Sequence, residues 1–379
     1  MPTPTSGPTQ SPPDTQPLDT GVKKPRDPWF DNAKMALVTL VVVGHSWVLL
    51  PSNGAMNHLY DFLYAWHVPA FVLVTGYLSK RFSYTRARLW QLVRTVAVPY
   101  LVFETLLALF RIYVGGEHLQ DLFADPHWPM WYLSALFFWR LLTPVFKPMP
   151  TALAVPVSLV VSLAAGAWAG DTLDIARVFG LLPFFVLGLK AGPERLELLR
   201  RWPAQVGAVV ALAAIYVVTT WTDSWGSTEW LYYRSRYDEM GFADDLHALV
   251  VRALVLTLGF LGAGAFLALV PRVRGWFTRM GAYTLVVYLF HGFVVKGAGY
   301  AGWDTFSDHH ALLAFPITTV LAVGLALTLA SEPVASRLTT FVDPWGYAER
   351  HLHHAVDLAV VKDEVPPAVQ AKMERLASR

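Results

Sequence analysis

Asp31-Asn-Ala-Lys34 opens an apolar run, Met35 to Val43, in which Thr39 is the only polar side chain, and Gly44-His45-Ser46-Trp47 closes it. A run this apolar, framed by charge and ending on an imidazole, reads as a membrane helix whose few polar groups face protein rather than lipid. At 100° per residue, the steps from Lys34 to His45 return to within about 20° of the same face, and Asp31 lies about 40° off that stripe. A rise of 1.5 Å per residue puts His45 roughly 16 Å from Lys34 along the axis. One wall of this helix therefore carries a cation at one end and an imidazole at the other.

The rest of the chain agrees with a membrane reading. Of 379 residues, 54% are hydrophobic and only 15% are Asp, Glu, Lys or Arg, whereas soluble domains carry about 25% charged residues. The 15 Trp, 15 Tyr and 22 Phe suit membrane interfaces. A net charge of +2 gives no reason to expect a nucleic-acid partner. With no cysteine, disulfides, thiolate catalysis and a cysteinyl acyl intermediate are excluded. No phosphate-binding loop, nucleophile elbow or zinc-protease helix is found, and no metal site is expected.

Apolar stretches follow one another near 33–50, 59–78, 95–114, 131–146, 151–169, 175–190, 204–220, 248–270, 282–297 and 311–330. Their lengths bracket what is needed to cross roughly 30 Å of hydrocarbon; for the fourth to sixth, re-entrant or strongly tilted paths stay open. Basic residues concentrate in alternate connections, at Lys80, Arg81, Arg86 and Arg88, at Arg140 and Lys147, at Lys190 to Arg201, at Arg272 to Arg279 and at Arg337. The other connections are acid-rich, from Glu117 to Asp125, Asp171 to Asp174, Asp223 to Asp245 and Asp304 to Asp308. The positive-inside rule then predicts an all-α, polytopic bundle of about ten transmembrane helices with both termini cytoplasmic. Residues 1–28 read as a disordered Pro/Thr-rich tail, 29–335 as the membrane domain and 336–379 as a cytoplasmic tail with a weak His351, His353, His354 tract. No repeat of 20–50 residues is seen.

Ionisable groups inside apolar spans default to functional candidates. Beyond His45 these are His67, beside the helix-breaking Pro69; His291, in Tyr288-Leu-Phe-His291; and Glu104, Arg111 and Arg177. His45, His67 and His291 fall at similar depths. Against function stands the plain alternative that a single membrane histidine is a helix–helix hydrogen-bonding residue, while Arg111 and Arg177 sit near helix ends, where they snorkel. The aromatic connection from Trp221 to Tyr237 suits sugar stacking or an interfacial belt.

On the set Trp29-Phe-Asp31-Asn-Ala-Lys34 with Gly44-His45, His67-x-Pro69-x-Phe71 through Gly76, Arg94 through Pro99, Trp131-Tyr132-Leu133, Phe184-Phe185 through Gly188, and Tyr288 through His291, the chain resembles acyltransferase family 3. The likeness is to its integral-membrane, fucose O-acetylase-like members and covers about residues 28–335. The family's opening Arg is Lys34 here, which keeps charge but loses the bidentate fork. The resemblance implies transfer of an acyl group, usually acetyl, from cytoplasmic acyl-CoA to a hydroxyl of a carbohydrate or glycosylated metabolite. Acyl-CoA would be a co-substrate, with no permanently bound cofactor, and the protein a multi-pass protein of the cell membrane. Lys34, Arg81, Arg86 and Arg94 are then the expected holders of the coenzyme A phosphates, and Asp31, Trp131 and Tyr288 the expected substrate contacts.

Neutral imidazole is the natural base at working pH, so His45 is expected to take the acceptor's proton, with Lys34 at the entrance. Glu104 or Asp31 is expected to orient it, and His67 or His291 to hold the oxyanion. Direct transfer is favoured, with an acyl-imidazole intermediate left open. The competing readings are a proton-coupled transporter or exporter using the histidines as a relay, and a scaffold or sensor using the aromatic connection.

Overall fold

The computed structural model describes residues 27–119, 123–240 and 245–343; the expected tail 1–28 lies almost wholly outside these, as does 344–379 with its histidine tract. Every long element among the described residues is helical and none is a strand, as expected. The order is α1 (Pro28–Trp47), α2 (Gly54–Tyr64), α3 (His67–Leu78), α4 (Arg86–Leu92), α5 (Val98–Tyr113), α6 (Trp131–Phe146), α7 (Thr151–Ala165), α8 (Ile175–Gly180) and α9 (Leu182–Lys190). There follow α10 (Pro193–Leu198), α11 (Trp202–Thr219), α12 (Thr222–Trp225), α13 (Asp245–Leu269), α14 (Trp276–Met280), α15 (Thr284–Tyr300), α16 (Trp303–His309), α17 (Ala311–Ala330) and α18 (Glu332–Val342).

α1 is central. Asp27 caps it by accepting from the Trp29 N–H at 3.0 Å, and Pro28 sits where its missing N–H is no loss. The helix packs on α3, α14, α15 and α17, and Met35, Leu37, Val38 and Val42 are fully buried. Its first turn is tied down. Trp29 Nε1 donates to the Leu267 carbonyl at 3.1 Å, and Asn32 Nδ2 donates to Pro271 and Val273 at 2.8 and 3.1 Å. Arg272 lies over the Trp29 ring at 4.2 Å. This end of α1 is therefore held against the end of α13 and the connection to α14.

Pro69 breaks the second span as expected. It has no N–H for the Ala65 carbonyl one turn back, and Trp66 leaves helical geometry with φ −139° and ψ −24°. Five stretches are long and apolar enough to cross a membrane: Gly54–Arg81, Arg86–Tyr113, Trp202–Thr219, Leu246–Leu269 and Ala311–Ala330. Two bent pairs raise this to seven if each is one span, α8 with α9 at 54° and α15 with α16 at 61°. The stretches read as spans near 33–50, 131–146 and 151–169 are helical but fall outside this count. α6 and α7 have 16 and 15 residues, roughly 24 Å or less at 1.5 Å per residue, and α1 carries Asp31, Lys34 and His45. Lipid-facing side chains such as Leu312, Val320 and Leu321 on α17 and Val206, Val209 and Val210 on α11 are exposed. This is a helical membrane protein.

The tightest contact joins α3 to α9. A Cβ on Gly76 would stand 2.0 Å from the Phe185 carbonyl oxygen, and one on Gly188 would stand 1.9 Å from that of Leu73. Two backbones touch here, and backbone cannot move aside as a side chain can. Far from it, where α5 meets α15, Glu117 is held by Arg111 (2.9 and 2.5 Å), Lys296 (3.2 Å) and the Tyr300 hydroxyl. Burial opposes its charge, but the hydrogen bonds from Arg111, Tyr300 and Lys296 outweigh it and hold the carboxyl at about 2.

Two outcomes follow from these contacts. Gly76→Ala or Gly188→Ala should each destabilise the bundle by about 3 kcal/mol or more, measured as loss of monodisperse protein in detergent and a lowered thermal midpoint. For Glu117, the unfolded carboxyl binds a proton near its ordinary 4.5 while the folded one resists until about 2. Its stabilisation is complete above the first value and fades as pH falls toward the second. Between about pH 5 and about pH 3 the wild type should therefore lose more thermal stability than Glu117→Gln; equal losses would refute this role.

Candidate functional site

His45 on α1 and His291 on α15 meet, with His45 Nδ1 and His291 Nε2 2.9 Å apart and the rings stacked at 5.1 Å. The direction of this bond is fixed by the other nitrogen of His291. His291 Nδ1 lies 3.1 Å from the Val287 carbonyl, which can only accept, so Nδ1 carries the proton and Nε2 is bare. His45 Nδ1–H must then donate to it. That leaves His45 Nε2 as an unprotonated nitrogen with no hydrogen-bond partner among the described residues. A backbone carbonyl thus sets, through two rings, the protonation pattern of His45.

The segment 127–130 covers this pair. Trp128 lies 4.3 Å from His45 and 6.4 Å from His291 between ring centroids. Both ends of the segment are clamped. Glu104 Oε1, on α5 and fully buried, accepts from the His127 backbone N–H at 2.7 Å and also from His127 Nδ1. Two residues on, the Pro129 carbonyl accepts from the Tyr288 hydroxyl of α15.

Two cavities approach the histidine layer from opposite ends of α1. One, about 250 Å³, has His45, Tyr64, Trp128, Trp131, Arg177 and Tyr232 on its wall. A neighbouring cavity of about 270 Å³ shares Trp128, Arg177 and Arg234 with it and reaches His127. The other, also about 250 Å³, has Lys34, Thr75, Tyr132, Arg140 and Tyr288 among otherwise largely apolar residues. Tyr288 stands between the ends: it lines the Lys34-side cavity, holds Pro129 beside Trp128, and its ring is 6.1 Å from that of His291.

The structure brings some of the expected residues together and separates others. Trp131 lines the His45-side cavity beneath Arg177, whose guanidinium is 4.7 Å from its ring and paired with buried Asp174. Glu104 meets His127, so orienting His45 falls to His291. Asp31 is bound to Lys34 at 2.8 Å, one turn along α1, and reaches neither histidine. Neither His67 nor His291 has an N–H to offer an oxyanion in this pattern. His67 Nδ1 is 2.7 Å from the Leu63 carbonyl, its Nε2 is buried without a partner, and both N–H groups are thus on backbone carbonyls. On that wall the indole N–H groups of Trp128 and Trp131 have no hydrogen-bond partner among the described residues. Arg81 and Arg86 are exposed and line neither cavity, and Arg94 lies 3.6 Å from Asp343.

In the aromatic connection, Trp230, Tyr233 and Tyr237 are buried around Arg252 at 5.0–5.7 Å, while Tyr232 reaches the cavity. His127 and Trp128 were missed in the sequence because they sit in a polar connection rather than a span. The only signal was Glu104, a buried carboxylate that needed a partner.

A family model described as an acyltransferase domain matches residues 27–331, most of the chain and every element of this site. The chain belongs to acyltransferase family 3. It is also similar to nodulation protein NolL of Mesorhizobium japonicum, 28% identical over 178 residues, which cover 43% of this chain and 47% of that protein. The chain thus spans about half the length of the curated relative it matches. No solved structure gives a match. Within this acyltransferase-family chain, Glu104→Leu removes the one oxygen, Oε1, that accepts both N–H groups of His127. It should cost roughly 2–3 kcal/mol, read as a lowered thermal midpoint that Glu104→Asp does not fully restore.

Proposed function

We propose that the protein is a membrane O-acyltransferase that moves an acyl group, in the first instance acetyl, from cytoplasmic acyl-CoA to a hydroxyl of a carbohydrate or glycosylated metabolite. The observation that carries this reading is the bare Nε2 of His45, placed on the wall of an aromatic cavity and held by His291. Family membership supports the reaction class. Aromatic faces with polar groups between them suit sugar rings, and Trp131, Tyr232 and Arg177 supply both. The basic connections favour placing the Lys34 end and both termini on the cytoplasmic side, in a ten-helix arrangement within the cell membrane.

In this mechanism the acceptor O–H gives its proton to His45 Nε2 as its oxygen attacks the thioester carbonyl. The C–O bond forms, the carbonyl electrons pass to oxygen, and on collapse the C–S bond breaks. His45, cationic in between and stabilised by donating Nδ1–H to His291, returns the proton to the departing thiolate. The indole N–H groups of Trp128 and Trp131 are the donors available to the oxyanion. The transporter reading asks for a continuous relay, and His67, bonded to its own helix through Leu63, is not joined to His45 or His291 by any hydrogen bond among the described residues.

His45→Ala should lower transfer from labelled acetyl-CoA to glycoside acceptors by roughly 10²–10⁴-fold, with the thermal midpoint kept. His291→Ala should lower the maximal rate less, because it removes the partner of the base and leaves the base in place. Wild-type transfer rates from the His45→Ala protein, or acceptor flux into proteoliposomes without any acyl donor, would overturn the proposal.

A further inference from the structure

Resting on the acyl-CoA reading above, we propose that Arg140 is the residue that anchors the donor, by binding the phosphate that adjoins the pantetheine arm in the Lys34-side cavity. The expected holders Lys34, Arg81, Arg86 and Arg94, and the neighbouring Lys80 and Lys190, are otherwise engaged or absent from the wall, Arg94 lying 3.6 Å from Asp343. Lys34 is paired with Asp31 at 2.8 Å. Lys80 donates to the Ala191 carbonyl and lies 4.0 Å from the Tyr77 ring. Lys190 donates to Lys147 at 2.8 Å and to Met149. Arg81 and Arg86 are exposed and do not line the cavity.

Arg140 is different. It is half-buried on α6, lines the cavity, and has no hydrogen bond or ion pair among the described residues. No carboxylate shares that wall. Five hydroxyls do, of which those of Tyr132 and Thr75 are bonded to each other, Thr95 donates to the Gln91 carbonyl and Tyr288 to that of Pro129. The remaining surface is largely apolar, with Val74, Leu78, Leu133, Leu136 and Leu285.

A single bare guanidinium at one end of an apolar cavity fits an elongated ligand with an anionic head and a less polar arm. The fork of Arg140 matches two phosphate oxygens at once, which an ammonium cannot do. Depth agrees. Arg140 lies nine residues along α6 from Trp131, roughly 13 Å at 1.5 Å per residue, and Trp131 lines the cavity that holds His45. A phosphate held at Arg140 needs an extended arm to bring its thioester to the histidine layer. A phosphorylated pantetheine thioester has that shape, and a small acyl phosphate does not.

The test is calorimetric titration of the purified full chain in nanodiscs with coenzyme A, 4′-phosphopantetheine and pantetheine. Arg140→Gln should weaken coenzyme A and 4′-phosphopantetheine by roughly ten- to a hundredfold and leave pantetheine unchanged, while Arg140→Lys keeps part of the affinity. Unchanged coenzyme A binding by Arg140→Gln, equal weakening of pantetheine, or weakening of coenzyme A alone would overturn the assignment. If Arg140→Gln does not fold, Arg140→Lys decides: loss confined to the two phosphorylated probes supports it, and loss on all three or on none refutes it. Failure of the wild type to bind any of the three sinks the acyl-CoA reading itself, and the assignment with it.

Discussion

The hydrogen bond from His45 Nδ1 to His291 Nε2, 2.9 Å long, constrains more of this molecule than its own energy would suggest. It forms only if α1 and α15 lie in contact with those residues at one depth, and only if His291 is already turned so that its other nitrogen faces Val287. That turn is set one helical turn back in the same helix, so the orientation of the pair is built into α15. Trp128 can lie over His45 because Glu104 and Tyr288 hold its two neighbours. Remove any of these and the bare nitrogen of His45 loses either its direction or its cover.

Some of this was legible in the sequence. Helical arithmetic put Lys34 and His45 on one wall of α1, and both line cavities at opposite ends of that helix. Pro69 signalled the break before α3, and Gly76 and Gly188, noted as parts of separate motifs, are the two sides of one backbone contact. What was not legible depends on partners distant in the chain or on backbone. Glu104 and His127 are 23 residues apart, across a connection that has no helical period. The donor or acceptor state of His67 and His291 is decided by carbonyls of their own helices, and main-chain acceptors are invisible to a search for charged side chains. The span count exceeded the number of long apolar helices because composition sees an apolar stretch and not its length as folded: α6 and α7 stop short, and two other stretches bend.

The buried charges supply the last step. An ionisable group in a low-dielectric interior is costly unless a partner offsets the desolvation. Three such partners exist: Asp174 for Arg177, Asp31 for Lys34 and His127 for Glu104. Arg252 has no carboxylate among the described residues, and the faces of Trp230, Tyr233 and Tyr237 surround it instead. Arg140 has neither a carboxylate nor an aromatic cage among the described residues, and it borders empty space. A cation without a partner among the described residues, on a largely apolar wall, gains most from a ligand that brings the opposite charge. Because the bare nitrogen of His45 lies beyond the Tyr288 layer from it, a donor bearing a charge at one end and an electrophilic carbon at the other is oriented by both ends at once. On the proposed donor reading, the polarity of the two cavities matches that of the substrate.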